Sequence, residues 1–101
     1  MFGLEKLFGD KTDYKKLATE GAVILDVRTP VEFTDGHING AVNVPVDQIR
    51  NVIGDLKRKN KPVITCCRSG ARSAIATNLL KNAGIVAVNG GSWTSLLNKI
   101  K

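Results

Sequence analysis

The sequence predicts an α/β fold: a three-layer α/β/α sandwich built on a central, mainly parallel sheet of four to five strands. Three observations predict it. Short apolar runs alternate with helical patterns, the segments joining them are short, and the first strand run is apolar but for Asp26, as in a strand covered on both faces. A chain of 101 residues leaves room for one domain, here residues 13–101 behind a short segment, 1–12, expected to pack on it.

Asp13 is placed to cap a first helix from Tyr14 to about Glu20, which Gly21 stops. Ala22–Val27 is too short for a helix and reads as the first strand. A second short strand is expected at Ala41–Val44, ended by Pro45. The next helix starts near Asp47 and carries Ile49, Val52, Ile53 and Leu56 at spacings of three and four. Pro62–Cys66 is the third strand.

A polar loop follows, then a helix from around Ser73 with Ala76, Leu79, Leu80 and Ala83 in one stripe, closed by Gly84. Ile85–Val88 reads as the fourth strand and Gly90-Gly91 as a flexible turn. Ser92 can cap a last helix bearing Trp93, Leu96, Leu97 and Ile100 on one face.

Composition narrows the function classes. Apolar residues make up 43% and charged residues 24%, which argues against disorder. No apolar run approaches the roughly 20 residues of a membrane span. Charge interrupts the first eight residues too early for a signal peptide, so a cytoplasmic location is expected. The net charge of +6 permits attraction to anions. No aromatic residue interleaves with the Lys57–Lys61 cluster, however, and neither nucleic acid nor a membrane is an expected partner.

The two cysteines, Cys66 and Cys67, are neighbours and cannot staple a long loop. With His37 the sole histidine, a structural zinc site lacks ligands. Each cysteine is therefore a small buried hydrophobe or a reactive thiol. Cys66 is assigned to the core as the last strand residue.

Cys67 begins the segment Cys67-Arg68-Ser69-Gly70-Ala71-Arg72, between a strand end and a helix N-terminus. In such sheets ligands bind at the carboxyl ends of strands. Free amides and the positive helix end there favour an anion, including a thiolate. Arg68 and Arg72 add forked donors suited to oxyanions, with pairing to Asp26 or Glu32, or bracing of the loop by Arg72, as the alternatives. Gly70 lets the backbone curl into an anion nest, and small Ser69 and Ala71 are expected to leave the bowl open. A cysteine so placed is expected to ionise in the range of roughly 3.5–7.5. Ser73 is read as a helix cap, Arg28 and Glu32 as an ion-pair or turn network, and His37 as part of a structural turn. Asp26 stands near the same edge, where it could orient an arginine.

Taken together, these motifs resemble a single-domain rhodanese, the thiosulfate sulfurtransferase family. The resemblance covers nearly the whole chain from about Asp13. It rests on Leu25-Asp26-Val27-Arg28-Thr29-Pro30-Val31-Glu32-Phe33, on His37-Ile38-Asn39-Gly40-Ala41 leading to Asn43-Val44-Pro45, on the Cys67–Arg72 loop, and on Gly90-Gly91-Ser92-Trp93. Asn39 stands where the family often has proline.

The resemblance implies that Cys67 is the nucleophile. It would take a sulfane sulfur from thiosulfate, become a persulfide, and pass the sulfur to cyanide or to a thiol such as glutathione or thioredoxin. Arg68 and Arg72 would bind the oxyanion, and Ser69, Gly70 and Ala71 would contribute backbone amides. It also implies that no metal or organic cofactor is needed. A monomer is the default, since nothing reads as a dimer seam.

Three other readings stand beside this one. The first is a persulfide relay to a dedicated protein partner. The second is a small-anion phosphatase or arsenate-reductase-like enzyme, disfavoured because four residues rather than five separate Cys67 from Arg72. The third is a non-catalytic interaction domain.

Overall fold

In the computed structural model, residues 12–101 are described. The expected packing of segment 1–12 therefore lies, except for Thr12, outside the described residues.

Helix α1, Tyr14–Thr19, is capped by Asp13, whose carboxylate accepts the Lys16 amide at 3.0 Å. Strand β1 is Val23–Asp26. Helix α2, Pro30–Asp35, was not legible as a helix in the sequence. A reciprocal Thr29–Glu32 capping box and Pro30 in its first turn start it within six residues.

Strand β2 is only Val42–Asn43, shorter than expected, and a 3₁₀ turn at Val46–Gln48 leads into α3, Ile49–Lys59. Strand β3 is Val63–Cys67, α4 is Ala71–Asn82, β4 is Ala87–Ser92 and α5 is Trp93–Ile100. Among the described residues, no helix is long and apolar enough to cross a membrane.

The four strands form one parallel sheet in the order β2-β1-β3-β4. Every residue of β3 is buried, as a central parallel strand requires. Strand alternation sends Val63 and Cys67 into one core layer, with Ile49 and Leu56 of α3 and Ala76 and Leu80 of α4. It sends Ile64 and Cys66 into the other, with Leu17 of α1 and Trp93 and Leu96 of α5. Fully buried Leu25, Ile49, Ile64, Leu80 and Leu96 each contribute about 1.5–3 kcal/mol through lost apolar exposure. This is the three-layer α/β/α sandwich.

Three boundaries correct the sequence reading. First, β3 runs through Cys67, and α4 begins at Ala71 instead of near Ser73. Second, β4 starts at Ala87, because Gly84 ends α4 with a positive φ and Ile85 still donates back to Leu80. Third, Gly90-Gly91 is no free turn but part of β4.

In that stretch Thr65 pairs with Asn89 and Cys67 with Ser92, so Cys66 faces two β4 residues across a bulge. A Cβ on Gly90 would lie 2.7 Å from the Thr65 carbonyl oxygen, and Gly91 has a φ of +81°. Close approach and backbone conformation demand these two glycines; looseness does not.

Candidate active site

Cys67 ends β3 at the carboxyl edge of the sheet, and the loop rises from it into α4. Gly70, with a φ of +103°, caps α4 in the left-handed region and turns its amide inward. That N–H donates to Cys67 Sγ at 3.0 Å. The Ser69 and Ser73 amides also stabilise the sulfur, and the Ser73 hydroxyl lies 3.4 Å away. Burial pushes the Cys67 thiol up, but these four donors together outweigh it and hold the thiol below its ordinary value.

Ser73 is therefore not the helix cap expected of it. It is fully buried, with its hydroxyl 3.1 Å from the Gly70 carbonyl and 2.7 Å from Asn89 Oδ1.

Cys66 behaves in the opposite way. Its side chain sits in the other core layer, and burial, reinforced by the Asp26 carboxylate, pushes its thiol up to about 12. Neighbours in sequence thus differ in chemistry because a strand points them to opposite faces.

The bowl is closed, contrary to expectation. Cys67 is 0% exposed, because small loop residues let the amides and the Ser73 hydroxyl converge on the sulfur instead of leaving a hole above it. An open groove of about 340 Å³ lies beside the loop, lined by Arg28, Glu32, Asp35, Gly36, Arg68 and Trp93. A larger cavity of about 400 Å³, between Leu56 and Val86 on the opposite edge, contains none of the reactive groups. Of the two, only the groove borders the Cys67–Arg72 loop, through Arg68.

The two loop arginines are set differently. Arg68 is exposed on the groove, and among the described residues no carboxylate pairs with it. Arg72 instead reaches Glu32 on α2 with two hydrogen bonds, 2.7 and 2.9 Å. The Arg72 guanidinium holds the Glu32 carboxyl well below the usual carboxylate range, aided by the Thr29 amide.

Arg28 is buried and bound on all three of its side-chain nitrogens. It binds both oxygens of Asp26, donates to the carbonyls of Glu32 and Gly36, and lies 4.9 Å from the Trp93 ring centre. Asp26 thus orients Arg28, which braces α2 against the sheet. His37 is exposed, stacked on Phe33 at 3.8 Å with Nδ1 2.7 Å from the Phe33 carbonyl.

Ser69 is exposed in the loop, where its amide helps to lower the Cys67 thiol, and Ala71 opens α4. The sequence reading missed Asn89, which no local motif marks. The Gly90-Gly91 pair beside it, read as a turn, is the one local feature that a bulge explains. Among the described residues, no group of three or more His, Cys, Asp or Glu side chains could hold a metal ion.

A parallel α/β sheet that delivers one cysteine, with its thiol lowered, to a helix N-terminus defines the class: α/β proteins with an activated cysteine at the sheet's carboxyl edge. The Rhodanese-like domain family model matches residues 10–99. The chain belongs to that family.

A Schizosaccharomyces pombe protein provisionally named a mitochondrial thiosulfate sulfurtransferase is 30% identical over 115 residues, covering 100% of this chain and 80% of its own. The human single-domain sulfurtransferase TSTD1 superposes with a TM-score of 0.66 at 28% identity, covering 82% of this chain and 87% of that one. A Candida glabrata protein named adenylyltransferase and sulfurtransferase UBA4 is 38% identical over 69 residues, 59% of this chain. The chain spans 16% of that protein's length, and 52% and 22% of two further curated relatives.

Proposed function

We propose that the protein is a sulfurtransferase that carries sulfane sulfur from thiosulfate, or a related donor, to a thiophilic acceptor through a Cys67 persulfide. One observation carries the reading: the Gly70 amide donates to Cys67 Sγ at 3.0 Å, in a loop whose other donors converge on the same atom. The sulfurtransferase names of the fission yeast and human relatives support it.

In the first half-reaction the Cys67 thiolate attacks the outer sulfur of thiosulfate. The new S–S bond forms as the old one breaks, and sulfite leaves with the electron pair. Arg68, facing the groove, binds the sulfonate oxygens. The outer sulfur of the persulfide then carries the negative charge, and the loop amides stabilise it. In the second half-reaction the acceptor attacks that sulfur, giving thiocyanate from cyanide or a new persulfide from a thiol, and Cys67 returns as the thiolate. Ping-pong kinetics follow. Because Cys67 is closed off, the loop or a side chain beside it must shift to admit the donor.

Relay to a protein partner is the second reading. It is favoured by the relative that joins a sulfurtransferase to an adenylyltransferase in one longer chain. It keeps the same persulfide and changes only donor and acceptor.

Thiocyanate production from thiosulfate and cyanide, measured beside hydrolysis of an aryl phosphate, tests the proposal. Sulfur transfer with no phosphate release is expected. Phosphate release without thiocyanate would replace this reading with a phosphatase.

A further inference from the structure

We infer that Asn89 is a positioning residue for Cys67: its side-chain amide ties the β4 bulge to the crest of the loop and orients the Ser73 hydroxyl beneath the sulfur. The inference rests on the reading of Cys67 as the nucleophile.

The orientation of the amide follows from its two backbone partners. Oδ1 accepts the Gly91 N–H at 2.9 Å, and Nδ2 donates to the Gly70 carbonyl at 3.1 Å. Reversing the amide would lose both, so Oδ1 is the atom that meets Ser73 Oγ at 2.7 Å. A carbonyl oxygen only accepts, so the hydroxyl donates across that contact. Its lone pairs then face Cys67 Sγ at 3.4 Å and can receive the thiol proton. When the sulfur ionises it becomes the stronger acceptor, and the hydroxyl proton turns to it. Asn89 and the Gly70 carbonyl, 2.7 and 3.1 Å away, thus hold the Ser73 oxygen within reach of the sulfur, so that its proton is at hand when the sulfur ionises.

The second half of the device is Gly70. Its carbonyl accepts from the Ala74 amide at 3.0 Å and from Asn89, which holds it away from the sulfur. The same residue's N–H faces the sulfur at 3.0 Å. Asn89 is itself anchored from α1, where Tyr14 Oη donates to its main-chain carbonyl at 2.9 Å. The bulge makes this geometry possible, since the Gly91 amide that grips Oδ1 belongs to it.

The charged and titratable groups around Cys67 are few. Arg72 comes from α4 and Arg68 from the loop, Cys66 lies on the far face, Glu32 of α2 is bound by Arg72, and Asp26 of β1 is bound by Arg28. Strand β4 contributes no charge, so Asn89→Ala leaves all of these in place and removes only hydrogen bonds.

The test is alkylation of Cys67 by iodoacetamide from pH 5 to 10, located by peptide mass spectrometry, with a thermal midpoint for each variant. Asn89→Ala is expected to raise the Cys67 midpoint by about one unit, an approximately tenfold slower reaction below both midpoints, with an unchanged plateau at high pH. Asn89→Ser, which adds no charge and is too short to reach the Gly70 carbonyl, is expected to raise it comparably. It serves if the alanine variant does not fold. An unmoved midpoint overturns the inference, whatever the thermal stability, as does a lower plateau at the original midpoint. An ordinary thiol midpoint in the unaltered protein would instead overturn the nucleophile reading on which the inference rests.

Discussion

Arg72 on α4 grips both carboxylate oxygens of Glu32 on α2, bridging the Cys67–Arg72 loop to the helix that follows β1. The loop's second arginine therefore stands already neutralised, while Arg68 faces the groove without a carboxylate partner among the described residues. The expected division of labour is substrate contact by Arg68 and bracing by Arg72.

That division predicts a kinetic asymmetry. Arg68→Ala should slow loading from thiosulfate by roughly ten- to a hundredfold, the scale of a charge-assisted contact of about 1.5–3 kcal/mol, and leave discharge to cyanide nearly unchanged. Single-turnover measurement of the two half-reactions checks it. Equal losses in both would deny Arg68 an oxyanion-binding role.

Removing the other end of the bridge should show in acid stability. Because the folded Glu32 carboxyl titrates below its unfolded value, the Arg72 pair contributes fully above about pH 4.3 and fades as pH falls toward the folded value. The side chains are 27% and 33% exposed, so solvent screening limits the pair to about 0.5–1 kcal/mol. Glu32→Gln should lower the thermal midpoint by a few degrees at pH 7, with the deficit shrinking toward pH 2. A deficit constant across that range would contradict the assignment.

The two thiols should separate cleanly. Cys66, pushed up to about 12 and packed against Ile64 and Leu96, should resist iodoacetamide in the native protein and react after unfolding. Cys66→Ala should retain sulfur loading. Loss of loading in that variant with the fold intact would give Cys66 a chemical role that its position does not suggest.

Gly90→Ala tests the bulge. Its Cβ would crowd the Thr65 carbonyl oxygen at 2.7 Å, Leu96 at 2.9 Å and Ile64 at 3.0 Å, and backbone cannot yield as a side-chain tip does. A loss of about 1–3 kcal/mol in urea unfolding is expected. A neutral substitution would mean that β4 tolerates a different register.

Much of this architecture was legible in local patterns. The apolar run of β1, the stripes of α3 and α4 and the Ser92 cap are short-range signals, and so is the small, polar Cys67–Arg72 segment that marks the passage from β3 to α4. What escaped depends on contacts distant in sequence. Gly90-Gly91 read as a turn because glycine pairs usually mark one, but a tight fit against β3 places them in a strand. Ser73 resembles a cap by residue type alone, but the left-handed Gly70 starts the helix and leaves Ser73 inside its first turn. Asn89 meets Ser73 and Gly70 only after β4 aligns beside β3, and no pattern within either segment records that meeting. The closure over Cys67 is likewise a tertiary result, set by how far the loop folds back on the strand end.

The most direct measurement is the intact mass of the protein after thiosulfate treatment without an acceptor. One added sulfur, about 32 Da, is expected, mapped to the Cys67 peptide, absent in Cys67→Ala, and removed by cyanide. No adduct, or one carried by Cys66, would contradict the account.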